Sequence, residues 1–429
     1  MAKVACDKFY GKLWGEGLSL QFFKVKSVDE TYDLIRQHVH AITTQETVYL
    51  SEALHRTLAE DLVSSENIPS FRRSTVDGYA VKAADIYGSS ESMPGFLNIV
   101  GEVHMGEEVN QELEAGEAMY IPTGGMVPKG ADSVIMIEHC EDISGLLNTY
   151  RSIAPGENII GIGEDIREGE TFLTKGTLLR PQEIGAIGSL GINRVNVFKK
   201  ITIGYLSSGD EIVPFETNQI LPGQVRDINV LTIGNMVKEW GYDFVYGGIV
   251  PDQYEIFQKR AAELAGKVDC LILSGGSSVG AKDYTTEVIQ SIGNPGVYVH
   301  GVSVKPGKPT ILSQANELPV IGLPGHPASA MIIFQLFGRE ILTRLSGGKT
   351  RELPSRAFAK MKKNIPSAPG RSDYIRVKLS LENGEWWAEP IFGKSGLLKT
   401  LVQSDGIVEI PSEKEGVIIG ESVSVILLR

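Results

Sequence analysis

Leu271-Ile272-Leu273-Ser274-Gly275-Gly276-Ser277-Ser278-Val279-Gly280-Ala281-Lys282-Asp283-Tyr284-Thr285 decides the fold class of this chain. An apolar run enters a glycine-rich turn, and a helix is expected to start near Asp283. Strand, loop and helix in that order are the unit of an open α/β sheet, in which ligands sit beyond the carboxyl ends of the strands. Glycines there let backbone N–H groups approach a ligand, and a helix N-terminus adds partial positive charge. The stretch reads as a cradle for phosphate or pyrophosphate, or equally as a plain strand-to-helix turn capped by Asp283. No GxxxxGK[ST] motif is present, which excludes a Walker loop.

The same alternation extends to both sides. KITIGYLSSG reads as a strand entering a loop, and INVLTIGNMVKEWG as a helix with Val230, Ile233, Val237 and Trp240 on one side and Gly241 as its stop. YDFVYGGIV follows as a strand, and QYEIFQKRAAELAG as a helix with Ile256, Phe257, Ala261 and Leu264 facing one way. DYTTEVIQSIG is a helix; LPVIGLPG and ASAMIIFQLFGREIL are a strand and one long helix. Repeated βαβ units predict a mostly parallel sheet over about 192–350. Toward the N-terminus, Ser27 and Glu30 form a capping-box pair ahead of an apolar period from Val28 to Ile42. A short helix is expected over Ser51–Ala59. From about 64 to 190, short apolar runs between Gly and Pro predict a β-rich region, and after 351 YIRVKLSLE, EWWAEPI, GIVEIP and SVSVILL predict a small barrel or sandwich.

Composition narrows the function. The chain has 429 residues, enough for about three domains, with 42% hydrophobic and 22% charged residues. Glycine is high at 48 residues, so many tight turns are expected. A net charge of −12 argues against nucleic-acid or anionic-membrane binding. Cys6, Cys140 and Cys270 have no C-x-x-C spacing, which excludes a disulfide framework and a cysteine-rich zinc site. With no signal-peptide core and no membrane-length apolar run, the reading is a cytoplasmic protein.

Three further features carry chemistry. In Lys305-Pro306-Gly307-Lys308-Pro309-Thr310 the prolines exclude a helix, and two lysines on a stiff turn can converge on one oxyanion; a solvated basic turn is the plain alternative. In Leu323-Pro324-Gly325-His326-Pro327-Ala328-Ser329, Ser329 lies near a helix start, where it caps the helix or binds an anion. Acids at strand ends (Asp77, Asp165, Asp210, Glu211, Asp227, Asp252 and Asp283) suit Mg²⁺ beside phosphate, although Asp77-Gly78 also suits a hairpin and Asp252 an N-cap. His38 and His40 point about 200° apart on a helix and form no metal signature.

Together these stretches resemble one family, the molybdopterin molybdenumtransferases, or MoeA and gephyrin E-domain family. The resemblance rests on PSFRRSTVDGYAV, YIPTGGMVPKGADSVIMIE, GENIIGIGEDIREGE, GYLSSGDEI, LILSGGSSVGAKDYT, VKPGKPT, GLPGHPASA and GRSDYIRV, in the family's order over about residues 25–429. It implies a multidomain α/β-plus-β chain. An N-terminal extension would span 1–21 and an α/β molybdopterin-binding domain 22–44 and 192–350. An elongated linker region would span 45–63 and 170–191, a β-rich domain 64–169, and a C-terminal barrel-like β-domain 351–429. It also implies a homodimer with its active cleft between subunits, a contact with the adenylyltransferase of the same pathway, and Mg²⁺-dependent insertion of molybdate or tungstate into adenylylated molybdopterin with release of AMP.

The resemblance further implies residue roles. Ser274, Gly275, Gly276, Ser277 and Gly280 would cradle the pyrophosphate. Asp210, Glu211, Asp227 and Asp283 would hold Mg²⁺ or the nucleotide. Lys305, Lys308 and Ser329 would form the oxyanion site, and Arg371, Arg376 and Ser395 a second, transient one. Asp77, Asp165, Glu211, Asp252 and Asp283 are the catalytic or orienting acids. Two positions depart from the family pattern: Gly301 stands where many members carry lysine, and His326 where many carry asparagine. Glycines over Gly185–Gly191 would permit a hinge. The alternatives are a molybdopterin adenylyltransferase and a non-catalytic dimeric scaffold.

Overall fold

The computed structural model describes residues 25–275, 284–349 and 355–428. Contacts divide the chain into two units, 1–44 with 198–429, and 45–197.

The first unit is built on a six-stranded sheet. Four strands run parallel in the order Asp243–Val250, Thr202–Ser208, Cys270–Ser274 and Leu318–Leu323, and Ile311–Ala315 and Pro295–His300 complete it through antiparallel pairs. Both faces are covered, so the strands read as near-continuous apolar runs. Ile203, Tyr205, Ile272 and Ile321 pack on one side with Ile35, Val230, Ile233 and Phe337, and Leu206, Leu271 and Leu273 pack on the other with Phe257, Ala261, Val288 and Ile289. The helices are Val28–His38, Asn229–Glu239, Tyr254–Ala265 and Thr285–Ile292. The Ser27–Glu30 capping box is present in both directions.

Helical character over 327–345 is interrupted. Pro327–Ile333 and Arg339–Leu345 are α-helical, but Phe334–Gly338 forms a π turn. Packing outweighs the uniform helical period here: Phe334 stacks on Trp240 with ring centres 5.1 Å apart, and the Leu336 carbonyl accepts from the Tyr32 hydroxyl at 3.3 Å.

The C-terminal strands close into a barrel. Ser372–Glu382 pairs with Glu385–Pro390, which pairs with Arg356–Met361, then Ser422–Leu427, then Gly406–Ile410, and back to Ser372–Glu382. Ala359, Met361, Val377, Ala388, Val408 and Val425 fill it. Val304–Lys305 adds to Ser372–Glu382 in parallel, with Lys305 opposite Asp373.

The second unit holds a six-stranded, mainly antiparallel sheet in the order Ser133–Met136, Gly78–Val81, Glu117–Ile121, Gly95–Glu102, Leu146–Thr149 and Cys140–Ile143. Segments before and after it share a separate core of Ala53, Leu58, Leu179, Ile187, Val195 and Val197. The helix expected over Ser51–Ala59 is absent; only Leu50–Glu52 makes a single 3₁₀ turn. The backbone there bonds across the chain instead, His55 N–H to Leu179 O at 2.9 Å and Leu58 N–H to Thr177 O at 2.9 Å. The Gly185–Gly191 stretch begins inside a helix, Pro181–Ser189.

Candidate active site

The register of the first unit's sheet brings the candidate loops to one edge. Ser207 lies opposite Ser274, Ser274 opposite Leu323, Gly322 opposite Ile311, and Ile311 opposite His300. The segments 209–211, 251–252, 274–275, 301–310 and 324–326 therefore all leave the same carboxyl edge. With neighbouring strands about 4.8 Å apart, three strand spacings separate the Asp210 end from the lysine turn by about 14 Å.

Ser274 and Gly275 occupy the centre. Gly275 has φ +116°, and a Cβ there would lie 2.1 Å from the Ser208 carbonyl oxygen, so the chain turns where only glycine fits. Gly276, Ser277, Gly280 and Asp283 lie outside the described residues.

The acidic end divides into two environments. Asp210 and Glu211 are exposed, and Asp210 Oδ1 accepts from the Asp252 N–H at 3.1 Å. Asp227 is buried, and its carboxylate accepts from Ser207 Oγ at 2.5 Å, Tyr246 OH at 3.1 Å and the Val230 N–H at 3.3 Å. Burial, and next the Asp227 charge, push both the Tyr246 and the Tyr205 hydroxyls well above the usual tyrosine range. Tyr246 therefore stays a donor to Asp227. Among the described residues no three His, Cys, Asp or Glu side chains converge to hold a metal ion. Mg²⁺ takes one or two carboxylates plus substrate phosphates, so exposed Asp210 and Glu211 fit that role, and hydrogen-bonded Asp227 fits a structural one.

The basic end is the 305–310 turn. Lys305 and Lys308 are exposed and make no ion pair among the described residues. Gly307, at φ +108°, packs where a Cβ would fall 2.4 Å from Ile333 Cγ1. Thr310 Oγ1 donates to Gly307 O at 2.6 Å and holds the turn. Beside Lys305, Arg371 Nε donates to the buried Asp373 carboxylate at 2.9 Å.

His326, not Ser329, occupies the N-cap position of the Pro327–Ile333 helix, and Ser329 is buried in its first turn. Ser395 meets this helix through its carbonyl, which accepts from the Ala328 N–H at 3.1 Å. Arg376 is buried and donates to Thr400 Oγ1 at 2.7 Å and Gly393 O at 3.1 Å, fixing the loop that carries Ser395. Asp77 and Asp165 belong to the second unit, and both are exposed. Asp77 does not sit in a hairpin: Gly78 begins a central strand, and Asp77 Oδ1 accepts from the Thr123 N–H at 2.7 Å.

One residue at this edge carries no motif signal. Asn229, at the first position of its helix, is buried and donates from Nδ2 to Gly325 O at 2.8 Å and Ser274 Oγ at 3.4 Å. A polar side chain opening the apolar face of INVLTIGNMV is the one available hint.

A doubly covered α/β sheet with Ser274, Gly275, Lys305 and Lys308 at its carboxyl edge, joined to a closed barrel, is the architecture of the molybdopterin-binding class. Residues 204–344 match the family model described as a probable molybdopterin binding domain, 26–191 the MoeA N-terminal region (domain I and II), and 359–428 the MoeA C-terminal region (domain IV). The chain belongs to the MoeA family. It is 31% identical over 402 residues to a molybdopterin molybdenumtransferase of Haemophilus influenzae, spanning 93% of this chain and 98% of the relative. The corresponding enzyme of Bacillus subtilis is 30% identical over 389 residues, 90% of each chain. A solved molybdopterin biosynthesis MoeA protein of Pyrococcus horikoshii superposes with a TM-score of 0.77 at 32% identity, covering 94% of this chain and 100% of the other. Membership makes this chain a transferase of molybdenum cofactor biosynthesis.

Proposed function

We propose that the chain inserts molybdate or tungstate into adenylylated molybdopterin and releases AMP. The observation that carries this reading is the single carboxyl edge, with exposed acids at one end, two exposed lysines that make no ion pair among the described residues at the other, and the Ser274–Gly275 turn between them. A phosphoanhydride would sit at the centre, where the Ser274–Gly275 turn ends its strand and where backbone N–H groups of a glycine-rich turn would bind it. A tetrahedral oxyanion fits Lys305 and Lys308, which act as point charges on a stiff turn. Cleavage of the P–O–P link takes up one water, and two molybdate oxygens leave as water when the two sulfurs bind, taking the two thiol protons and two more from solvent.

Mg²⁺, held by the substrate's phosphates with Asp210 or Glu211, would neutralise developing phosphate charge. Asp252, whose N–H donates to Asp210 Oδ1, belongs to the same acidic end; Asp283, expected from the resemblance to act with it, lies outside the described residues, and Asp77 and Asp165 would join that end across a homodimer. Ser329, Arg371, Arg376 and Ser395 then belong to the anion side. The four-part division expected above, a cytoplasmic setting and a contact with the pathway's adenylyltransferase complete the proposal. Among the described residues no helix is long and apolar enough to cross a membrane.

Single-turnover AMP release from adenylylated molybdopterin, with Mg²⁺ and with molybdate, tungstate or neither, tests the reading. Oxyanion-dependent release supports it. Tight binding without release under any condition would refute it in favour of a scaffold, and ATP consumption in favour of adenylylation.

A further inference from the structure

Asp227 closes a loop that begins and ends at the substrate edge. The chain leaves its strand after Ser208, passes Asp210 and Glu211, and returns at Asp227; the Ser207–Asp227 hydrogen bond joins positions 20 apart at the base of this excursion. Asp227 is 4% exposed, and a buried carboxylate needs donors. Ser207 Oγ and Tyr246 OH both donate to the same oxygen, Oδ2, while Oδ1 accepts from the Val230 N–H. Main-chain bonds carry this anchor to the rim acids. Ile212–Val213 pairs in parallel with Val225–Arg226, the Val225 N–H donates to Glu211 O at 2.9 Å, and the Asp227 N–H donates to Val213 O at 2.8 Å. The Arg226 guanidinium donates to Thr217 O at 2.7 Å and Asn218 O at 2.8 Å, which holds the outer part of the excursion. Tyr246 lies on the neighbouring strand Asp243–Val250, and the end of that strand meets the acids too: the Gly209 N–H donates to Val250 O at 3.1 Å, and the Asp252 N–H to Asp210 Oδ1 at 3.1 Å.

We propose that Tyr246 and Ser207 are positioning residues for the divalent-cation end of the site: acting through Asp227, their hydroxyls fix the backbone that presents the Asp210 and Glu211 carboxylates. This rests on the reading above, in which Mg²⁺ is held there with the substrate's phosphates. Neither hydroxyl touches the cation; both hold the loop on which its ligands stand, and a site is only as well placed as the groups that support it. Because the two hydroxyls share one oxygen, loss of either leaves Oδ2 with a donor, whereas loss of both leaves a buried anionic oxygen unmet. Their effects are therefore coupled.

The test compares the full chain with Tyr246→Phe, which keeps the half-exposed ring and removes only the hydroxyl, with Ser207→Ala, and with the double variant. Two quantities are read: AMP release as a function of Mg²⁺ concentration, and hydrogen exchange by mass spectrometry without metal or substrate. Tyr246→Phe should raise the half-saturating Mg²⁺ concentration by about threefold, and the double variant by more than the product of the two single effects. The maximal rate should return at saturating Mg²⁺. Exchange over 209–226 should rise in the same order, with Cys270–Ser274 unchanged. If the double variant does not fold, Tyr246→Phe carries the comparison. An unchanged half-saturation, a maximal rate that stays low at saturating Mg²⁺, or unchanged exchange over 209–226 overturns the inference. A wild type whose AMP release does not depend on Mg²⁺ overturns the proposed function itself, and the inference with it.

Discussion

Replacing Gly275 with alanine places a Cβ 2.1 Å from the Ser208 carbonyl oxygen and 2.8 Å from Ser208 Oγ. A carbon normally approaches a carbonyl oxygen to about 3.3 Å, so the two strand ends must part by about 1 Å. The φ of +116° adds a second cost, since side chains rarely adopt it. Backbone strain of this kind costs roughly 1–3 kcal/mol and forced overpacking roughly another 1–3 kcal/mol. The variant should therefore lose roughly 2–6 kcal/mol locally. Hydrogen exchange read by mass spectrometry should show faster exchange in Thr202–Ser208 and Cys270–Ser274, the strands that carry the turn. Differential scanning calorimetry should show the first unit melting earlier, by about 2–4 °C for each kcal/mol lost. AMP release should fall with it. Unchanged exchange in both strands, with a normal melting temperature, would refute the argument that the edge depends on this close approach.

Four further outcomes follow from the same geometry. Gly185→Ala, in an exposed helical position where a Cβ meets nothing within 4 Å, should stabilise the second unit by about 0.5–1 kcal/mol, measured by thermal unfolding, and leave turnover unchanged. Arg376→Leu removes two hydrogen bonds and leaves the Gly393 carbonyl unmet, so exchange should rise across 393–400, at a cost of about 2–4 kcal/mol. Burial pushes the Glu183 carboxyl up, but hydrogen bonds from the Arg180 side chain and backbone outweigh it and hold the group below its ordinary 4.5. The stability this contributes is complete above that pH and is lost as pH falls below it; Glu183→Gln should thus be less stable than wild type at pH 7, and equal to it in acid, in pH-dependent melts. Burial, followed by the Glu138 charge, pushes the Cys140 thiol up to about 12, so its alkylation, followed by mass spectrometry, should keep accelerating well beyond pH 9.

Much of the first unit was legible because its signals are local. The Ser27–Glu30 capping box lies within one turn of chain, and the strands at 202–208 and 270–274 declare themselves as apolar runs. The late strands were visible by alternation, but the choice between barrel and sandwich was not. It depends on Ser372–Glu382 pairing with Gly406–Ile410 as well as with Glu385–Pro390, a long-range fact. The failed helix at 51–59 has the same origin: the local period was there, but hydrogen bonds to residues more than a hundred positions away won. The π turn at Phe334–Gly338 answers to Trp240 and Tyr32, neither of which is near it in sequence.

The site was legible as a set of loops, and the roles within it were not. Acid residues look alike along a chain, yet here they fall into distinct environments. Asp227 is buried under two hydroxyls and an amide, Asp210 and Glu211 stand at the rim, and Asp77 and Asp165 lie in the other unit. The net charge of −12 is a poor guide to this edge for the same reason. At physiological salt the field of distant carboxylates decays over about 8 Å, less than the roughly 14 Å that separates the Asp210 end from the lysine turn. An oxyanion near Lys305 and Lys308 therefore feels those two cations more than the rim acids. A cation near Asp210 and Glu211 feels the acids more than the lysines. On the proposed function, one edge would hold a metal-bound phosphate and a free oxyanion at once because its charges are separated by about three strands, with a neutral serine–glycine turn and the Asn229 amide between them.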